Sequence, residues 1–413
     1  MKTKKRALLI FILLNLISLQ CIRDFSTDAG FKEPRQLTVL EKKLVTSDNA
    51  FGWELFKQIV AQSNNENVFI SPLSVSMALG MTFNGAAGST ETAIKNVLQF
   101  TGLSKTEINE SYLSLITLLS GLDDRVQFQI ANSIWYRLGF KIEQNFIDLN
   151  RNYFNAEVRG LDFNSPDAPN TINAWVDEKT YGKIDKVIDK INPLTMMYLI
   201  NAIYFKGVWL YEFDKSKTRD DRFNLPDGSQ TDCKMMQQGG KFPYFSTAQF
   251  QAVDLPYGGD KFRMSVFLPN PGVNSDELIS EIDSQTWDNW TARFEFRNGS
   301  VLLPKFEMKY KISLNKILSA MGMEVAFSPN QADFTNIEKN GDLYISNVLH
   351  KTYVAVDEEG TEAAAVTVVE MGVTSVGGPS GFYMRVDRPF LFVIWENNSN
   401  TILFIGKIVQ PES

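Results

Sequence analysis

Few side chains in this sequence could carry acid–base or nucleophilic chemistry at neutral pH. His350 is the only histidine, and Cys21 and Cys233 are the only cysteines. A Ser-His-Asp hydrolase would have to use His350 alone, and no Gly-x-Ser-x-Gly motif is present to carry its nucleophile. A metal site with two histidines is excluded, and the cysteines are too few for a structural zinc site. The sequence therefore argues against a histidine-based hydrolase and against a metal site built on histidine or cysteine.

The composition is that of a large globular protein with an acidic balance. The length of 413 residues allows two or three domains, and no Pro/Ser-rich linker, internal repeat or low-complexity segment divides the chain. The 30 phenylalanines and 7 tryptophans are enough for a large core. The net charge of −7 argues against a nucleic-acid partner, because phosphate binding needs a basic surface.

The first 20 residues have the pattern of an export signal. Residues 1–6 are basic, and the apolar residues 7–19 are too few to span a bilayer comfortably. Cys21 follows, and a cysteine at this place resembles a bacterial lipoprotein signal, in which the cysteine is lipidated and becomes the mature N-terminus. Gln20 and Ser18 depart from that pattern, which prefers a small residue and a leucine there.

We expect residues 1–20 to be a signal peptide and residues 21–44 to be a polar tether. With Cys21 acylated, the protein would be an outer-membrane or cell-surface lipoprotein whose only membrane contact is the lipid. Secretion without a lipid, to the medium or the periplasm, is the alternative, and an uncleaved anchor is a third. Cys233 is then unpaired, and its strand-like surroundings favour a small buried residue over a reactive thiol.

Apolar spacing predicts an early helical part and a later strand-rich part. Helices are predicted at residues 48–62 with Ser47 or Asp48 as cap, from Ser71-Pro72 onward, at 90–93, 104–119 and 168–181, and from 314 to a stop at Gly322. Strands are predicted at residues 126–130, 195–205, 353–356 and 389–395, with several short strands between 221 and 269. Helices followed by strands are typical of an α+β fold.

The most unusual stretch lies between the last two apolar strands. Three acids precede Gly360 and a run of small residues, and no Lys or Arg occurs between Thr361 and Met384. A connection of this length is commonly functional or disordered. Composition alone is equally compatible with an Ala-rich helix capped by Thr361.

This stretch resembles the hinge and reactive-centre loop of the serpins. Other stretches resemble the family's strand-to-helix entry, its central-sheet strand and its closing strands, in the family's order: residues 67–76, 201–209, 387–392 and 403–407. The resemblance covers roughly residues 45–411. It implies an α+β serpin fold with a large central, mostly antiparallel sheet, two further sheets and eight to nine helices. One monomeric domain at 45–413, with an exposed loop at 358–384, is the expected form.

The resemblance also implies that the protein is not an enzyme but a suicide inhibitor, and that it uses no cofactor. In serpins a serine protease attacks one bond of the loop and forms an acyl-enzyme. The freed part of the loop then inserts into the central sheet as a new strand and distorts the trapped protease. Counting 16 residues on from Glu358, as the family does, places the reactive bond between Thr374 and Ser375, with Val373 and Met371 as alternatives.

The residues at the reactive bond indicate the class of target. An uncharged, β-branched residue favours proteases with a shallow apolar primary pocket, such as elastases. Subtilisin-like serine proteases and papain-like cysteine proteases are alternatives, whereas the lack of a basic residue disfavours trypsin-like enzymes. A non-inhibitory serpin that acts as a binding or chaperone protein is the alternative function. A bulky or charged residue at the buried hinge positions would favour it, and none is present.

The predicted hinge has the side-chain alternation that strand insertion requires. It comprises Glu358, Glu359, Gly360, Thr361, Glu362, Ala363, Ala364, Ala365, Val366 and Thr367. In an inserted strand the odd-numbered residues from 361 to 367 share one face, and the even-numbered ones share the other. The first set is small and uncharged, so it can be buried. The glycine supplies a pivot free of Cβ restrictions.

Two further groups match positions around the serpin central sheet. His350, Ser71, Ser74 and Asn201 match a polar cluster under the sheet where two strands part. Neutral imidazole suits such a cluster because it both donates and accepts a hydrogen bond. Trp209, Lys305 and Glu358 match the top of the sheet, where a Glu358–Lys305 pair would hold the loop beside Trp209. A surface ion pair of little energetic consequence is the alternative.

Overall fold

The computed structural model describes residues 35–63, 65–340, 343–361 and 381–412. The expectations for the signal peptide, Cys21, the hinge from Glu362 to Thr367 and the reactive-bond candidates Met371, Val373, Thr374 and Ser375 lie outside these residues. None of the helices in the described part of the chain is long and apolar enough to cross a membrane.

Most of the helices lie in the first half of the chain. They are α1 Val39–Val60, α2 Pro72–Gly85, α3 Gly88–Val97, α4 Lys105–Leu119, α5 Gln144–Phe154, α6 Ala168–Lys179, α7 Ser275–Ser280, α8 Ser284–Thr291, α9 Asn315–Leu318 and α10 Glu324–Phe327. The local sequence explains where several of these helices begin. Ser71 caps α2 by accepting the Ser74 N–H, and Pro72 occupies the first helical position, where no N–H is needed. Ser104 caps α4 in the same way.

The first helix begins earlier than the sequence predicted. It starts at Val39 rather than near Asp48, because Thr38 and Glu41 form a capping box in which each side chain accepts the other's backbone N–H. Leu44 on this helix is fully buried. Residues 39–44 therefore belong to the folded domain, and the expectation of a tether up to residue 44 was wrong for them.

Gly322 does not end the late helix. Its φ of 116° interrupts the helix after α9 with a π turn, and α10 resumes at Glu324. Only glycine adopts this backbone conformation readily, so the residue makes a bend rather than a stop. With α9 and α10 counted as one interrupted helix, the described residues contain nine helices.

The strands follow in the order β1 Val68–Ile70, β2 Val126–Arg137, β3 Glu157–Leu161, β4 Met197–Val208, β5 Arg219–Asn224, β6 Gln230–Ser246, β7 Phe250–Tyr257, β8 Phe262–Pro269, β9 Glu295–Pro304, β10 Phe306–Ser313, β11 Leu349–Val356, β12 Gly360–Thr361, β13 Phe382–Arg385, β14 Phe390–Glu396 and β15 Thr401–Ile408. The predicted α+β class is confirmed.

A six-stranded sheet with the order β10-β11-β12-β4-β2-β3 forms the centre of the molecule, and its pairs are antiparallel except β2–β3. One face packs on α2. The other packs on α6, whose Ile172, Trp175 and Val176 form a second apolar cluster with Trp135 and Ala202 of the sheet. Coverage on both faces explains why β4 is almost wholly apolar.

The remaining strands form one network, β1-β15-β14-β8-β7-β6-β9-β13 with β5 paired to β6. The sequence predicted two further sheets and several short strands here. The short strands are present as β5, β7 and β8. The two further sheets are joined into one network, because β6 is 17 residues long and pairs with β9 along one part and with β7 at its end. Cys233 lies buried in β6, and burial raises the pKa of its thiol to about 11, which keeps it protonated.

Candidate functional site

The candidate site is the boundary between β4 and β11, which we call the seam. Within the described chain, these two strands are joined only through the two residues of β12. Gly360 and Thr361 pair antiparallel with Val208 and Gly207 of β4, and Thr361 pairs antiparallel with Val356 of β11. Among the described residues, the facing edges of β4 and β11 have no strand partner beyond β12, so a longer strand could pair with both of them.

A tight turn feeds the chain from β11 into β12. The backbone N–H of Asp357 donates to the Gly360 carbonyl at 2.9 Å. The Asp357 carboxylate accepts the N–H groups of Glu359 at 2.9 Å and of Gly360 at 3.2 Å. Aspartate favours such turns because its short side chain reaches backbone N–H groups two or three residues further on.

Gly360 is required because two backbones approach each other closely. A Cβ on Gly360 would lie 2.1 Å from the carbonyl oxygen of Gly207 and 2.8 Å from the Cα of Val208. Its φ lies outside the left-handed region, so rotational freedom is not what the position demands. The sequence identified the correct residue, but the structure gives close approach rather than a pivot as the reason.

Glu358 is buried and held by two side chains. Its carboxylate lies 2.8 Å from the Lys305 ammonium and accepts a hydrogen bond of 2.7 Å from the Thr218 hydroxyl. Only 5% of the residue is exposed. Burial by itself would raise the pKa of Glu358, but the hydrogen bonds from Lys305 and Thr218 outweigh it, so that the pKa is lowered. The pair expected from the sequence is thus present, and it is not a simple surface pair.

Trp209 fixes the backbone of the turn. Its indole N–H donates to the Asp357 carbonyl at 2.9 Å, and its backbone N–H donates to the Glu359 carbonyl at 2.8 Å. Its ring stacks on Tyr257 with centroids 4.3 Å apart, and the Tyr257 hydroxyl is 2.5 Å from the Thr361 hydroxyl. Thr361 therefore faces the core, as the predicted alternation requires.

Sequence reasoning missed Gly207, Thr218 and Tyr257. Tyr257 is the last residue of β7. Its contact with Thr361 spans 104 positions in the chain, and Thr218 is 140 positions from Glu358. No local pattern signals contacts at such separations.

His350 lies on β11 next to the start of α2. Its Nε2 accepts the backbone N–H of Ser71 at 3.0 Å, and the Ser71 hydroxyl accepts the backbone N–H of Ser74 at 3.3 Å. Burial lowers the pKa of His350 to about 4, so the imidazole is neutral at physiological pH. The structure thus brings together three of the four residues predicted as a polar cluster.

Asn201, the fourth residue, lies across the seam on β4. Its amide donates to the Asn132 side chain at 2.7 Å and contacts the Met77 sulfur at 3.8 Å. Asn132, which the sequence analysis missed, donates in turn to the Phe154 carbonyl at 2.7 Å. The Asn201 side-chain oxygen is buried without a partner among the described residues. The predicted cluster is therefore divided between the two sides of the seam.

The site has the components of a strand receptor. The described residues hold no group of three or more metal-binding side chains. The imidazole of His350 is only 5% exposed and bonds to a backbone N–H, so it does not activate a nucleophile. What the seam offers is strand edges, apolar side chains and polar groups that hydrogen-bond.

Removal of the lysine partner should destabilise the turn. We expect Lys305→Met to lower the free energy of unfolding by about 1–3 kcal/mol, because it leaves the buried Glu358 carboxylate without its cation. Lys215→Met is the matched control, since Lys215 pairs with Glu359 while its own side chain is 65% exposed. Chemical denaturation compares the two variants. An equal effect at both lysines would show that the buried Glu358 does not depend on Lys305.

The close approach at Gly360 gives a second prediction. Gly360→Ala should lower the melting temperature and disrupt β12, since the new methyl group meets the rigid backbone of Gly207. Gly239→Ala is the control, because a Cβ there has no neighbour nearer than 3.9 Å. Thermal unfolding and hydrogen exchange at Thr361 measure both effects. A Gly360→Ala protein as stable as the control would show that the close approach of residue 360 to the Gly207 backbone does not require glycine.

The buried histidine predicts a pH dependence. Because its pKa falls from 6.5 to about 4 on folding, its contribution to stability is complete above about pH 6.5 and is lost as the pH falls toward 4. The loss amounts to at most about 3 kcal/mol. His350→Gln keeps an acceptor for the Ser71 N–H but does not titrate. The stability difference between wild type and variant should therefore shrink between pH 7 and pH 5, and a constant difference would refute the assignment.

Comparison with known proteins agrees with this architecture. Residues 46–411 match the family described as serpin (serine protease inhibitor). The chain is 32% identical to an uncharacterized serpin-like protein of Thermococcus kodakarensis, across 90% of this chain and 87% of the relative. The native crystal structure of the thermophilic serpin tengpin superposes with a TM-score of 0.81 at 32% identity, covering 92% of this chain and 96% of that one.

Human thyroxine-binding globulin, in complex with its ligand, superposes with a TM-score of 0.82 at 28% identity, covering 91% of this chain and all of the other. The family match covers most of the chain. The chain belongs to the serpin family of serine protease inhibitors.

Proposed function

We propose that this protein inhibits serine proteases as a suicide substrate, by insertion of its cleaved loop into the seam. The observation that carries the proposal is β12, which pairs antiparallel with both β4 and β11. A strand that continued from Thr361 would find an unpaired edge on each side. Loop insertion in serpins is an established case of β-strand addition, in which main-chain hydrogen bonds supply the affinity.

The register of β12 specifies what each inserted residue would meet. Continuing both ladders places the odd-numbered hinge residues opposite positions on the two neighbours that are buried except for the half-buried Asn201: Ala363 opposite Phe205 and Val354, Ala365 opposite Ile203 and Thr352, and Thr367 opposite Asn201 and His350. Small side chains suit these positions because the adjacent residues of β11 are already packed in the core.

The polar residues of the seam have a function in this scheme. A hydroxyl at position 367 would arrive between the imidazole of His350 and the partnerless side-chain oxygen of Asn201. It can donate one hydrogen bond and accept others, so it can join the two halves of the divided cluster. Insertion would thereby satisfy a buried oxygen that the described structure leaves unpaired, which favours the inserted state.

The energy available from insertion is large. About 15 newly paired residues, at roughly 0.5–1.5 kcal/mol net for each hydrogen bond, give on the order of 10 kcal/mol. A protein that forgoes this energy before cleavage is kinetically trapped rather than at its most stable arrangement. Cleavage releases one end of the loop and removes the trap.

The chemical step takes place on the loop. The protease serine attacks the carbonyl carbon of Thr374, the bond to the Ser375 nitrogen breaks, and that nitrogen leaves as an amine after taking up a proton. An ester then links the protease to Thr374, and insertion of the preceding residues would carry the protease along before water hydrolyses the ester. Elastase-like enzymes are the proposed targets, with subtilisin-like and papain-like proteases as alternatives.

A ligand-carrying function is the second candidate, because the fold resembles that of human thyroxine-binding globulin. The hinge composition favours inhibition over this alternative. The residues on its inward face are small and uncharged, and such a face is needed for insertion but not for carriage of a ligand.

The test of the proposed function is to mix the full chain with an elastase-type protease. We expect a covalent complex that survives denaturing electrophoresis and a released C-terminal peptide that begins at Ser375. Mass spectrometry of the peptide identifies the reactive bond, and a start at another residue corrects the position. Cleavage without a complex, for every protease class named above, would contradict the proposal.

Two loop variants control for the register. Ala365→Glu places a charge on the inward face, opposite Thr352 and Ile203, so it should convert the protein from inhibitor to substrate. Ala364→Glu places the same charge on the outward face of the inserted strand and should retain most of the complex. The same yield of complex from both variants would show that insertion does not follow this register.

A further inference from the structure

A cavity of about 750 Å³ lies along the lower part of the seam. Its apolar walls come from α2, from β4 and from the segment 184–190 that precedes β4; they include Val75, Ala78, Leu79, Val187, Ile188 and Leu199. The volume is within the range of about 300–1,000 Å³ that is usual for small-molecule sites. Size and lining suit a flexible hydrocarbon chain.

Lysines gather at the outer side of this cavity. Lys190, Lys311 and Lys351 are among its lining residues. Lys311 and Lys351 stand directly opposite each other across the β10–β11 ladder, and like charges in this position repel. The main compensating group is Asp189, which lies 3.4 Å from Lys311 and 2.8 Å from Lys186.

The local charge is positive although the whole chain is acidic. Four lysines and two aspartates meet here: Lys186, Lys190, Lys311, Lys351, Asp185 and Asp189. Burial and then the charge of Lys311 lower the pKa of Lys351, which agrees with a deficit of negative charge at this point. The basic side chains at one end of this apolar cavity therefore contrast with the acidic character of the whole protein, whose net charge is −7.

We propose that this cavity binds a fatty acid of medium or greater chain length. The hydrocarbon chain would lie along the apolar walls between α2 and β4, and the carboxylate would bind between Lys311 and Lys351. Each half of the site selects one half of the ligand, because free phosphate gains nothing from the apolar walls and a neutral hydrocarbon gains nothing from the lysines.

Binding has a consequence that rests on the proposed function. The cavity is also lined by Asn201 and His350, where an inserted strand would pass. A bound chain therefore occupies space that insertion needs. A fatty acid would slow insertion, so that more of the protein is cleaved as a substrate and less of it traps the protease.

Calorimetric titration of the full, uncleaved chain with laurate, below the concentration at which laurate aggregates, tests the binding. We expect one saturable site. 1-Dodecanol has the hydrocarbon chain but no carboxylate, and butyrate has the carboxylate but only a short chain. Each should therefore bind at least about tenfold more weakly than laurate. Absence of laurate binding, or equal binding of laurate and dodecanol, overturns the proposal.

Matched lysine variants test the location. Lys311→Gln combined with Lys351→Gln should weaken laurate binding about tenfold, because two charge-assisted contacts are lost. The double variant also removes a repulsive pair, and a thermal melt verifies that it folds. Lys309→Gln is the control, since Lys309 lies on the same strand opposite Tyr353 and does not line the cavity. Equal affinities in the double variant and the control overturn the proposal.

Elastase mixing with and without laurate separates this inference from the proposed function. A lower yield of complex in wild type, but not in the lysine double variant, supports the fatty-acid site and its effect on insertion. Complex formation without any laurate binding overturns the fatty-acid site and leaves the inhibitory function intact. Laurate binding without any protease complex supports the site and contradicts the proposed inhibitory function, on which the effect on insertion rests.

Discussion

The close approach of Gly360 to the backbone of Gly207 determines where the loop can enter the central sheet. Any side chain at position 360 would meet the Gly207 carbonyl, so only glycine lets β12 lie against β4. Once it lies there, Thr361 is in register with both β4 and β11 and its side chain faces the core. The register of every later residue in the loop follows from this single contact.

The two ends of the seam differ in how well their polar groups are satisfied. At the top, Glu358 has an ammonium and a hydroxyl partner, and Trp209 donates to two carbonyls of the turn. Lower down, His350 bonds to a backbone on one side and Asn201 keeps an oxygen without a partner on the other. Buried polar groups that lack partners cost free energy, whereas satisfied networks are rigid. The polar groups at the top of the seam are satisfied and those lower down are not all satisfied. This difference favours insertion that starts at Thr361 and proceeds toward His350 and Asn201.

Sequence reasoning identified the features that have local signals. The helix start at Ser71-Pro72 and the alternation around Thr361 are visible in a few letters, and the order of helices and strands together with the resemblance gave the α+β class. It misplaced the start of α1 because the capping box at Thr38 was assigned to a tether. It could not find the partners of Glu358 and Thr361 beyond Lys305, because Thr218 and Tyr257 lie more than 100 positions away in the chain.

The central claim is that the seam accepts the cleaved loop as a strand. The most direct measurement is the thermal unfolding of the protein before and after a single cut in the loop by a protease that is not trapped. Insertion worth on the order of 10 kcal/mol predicts a rise of the unfolding temperature on the order of 10 °C in a domain of this size. An unchanged or lower unfolding temperature after a verified cut would contradict the account.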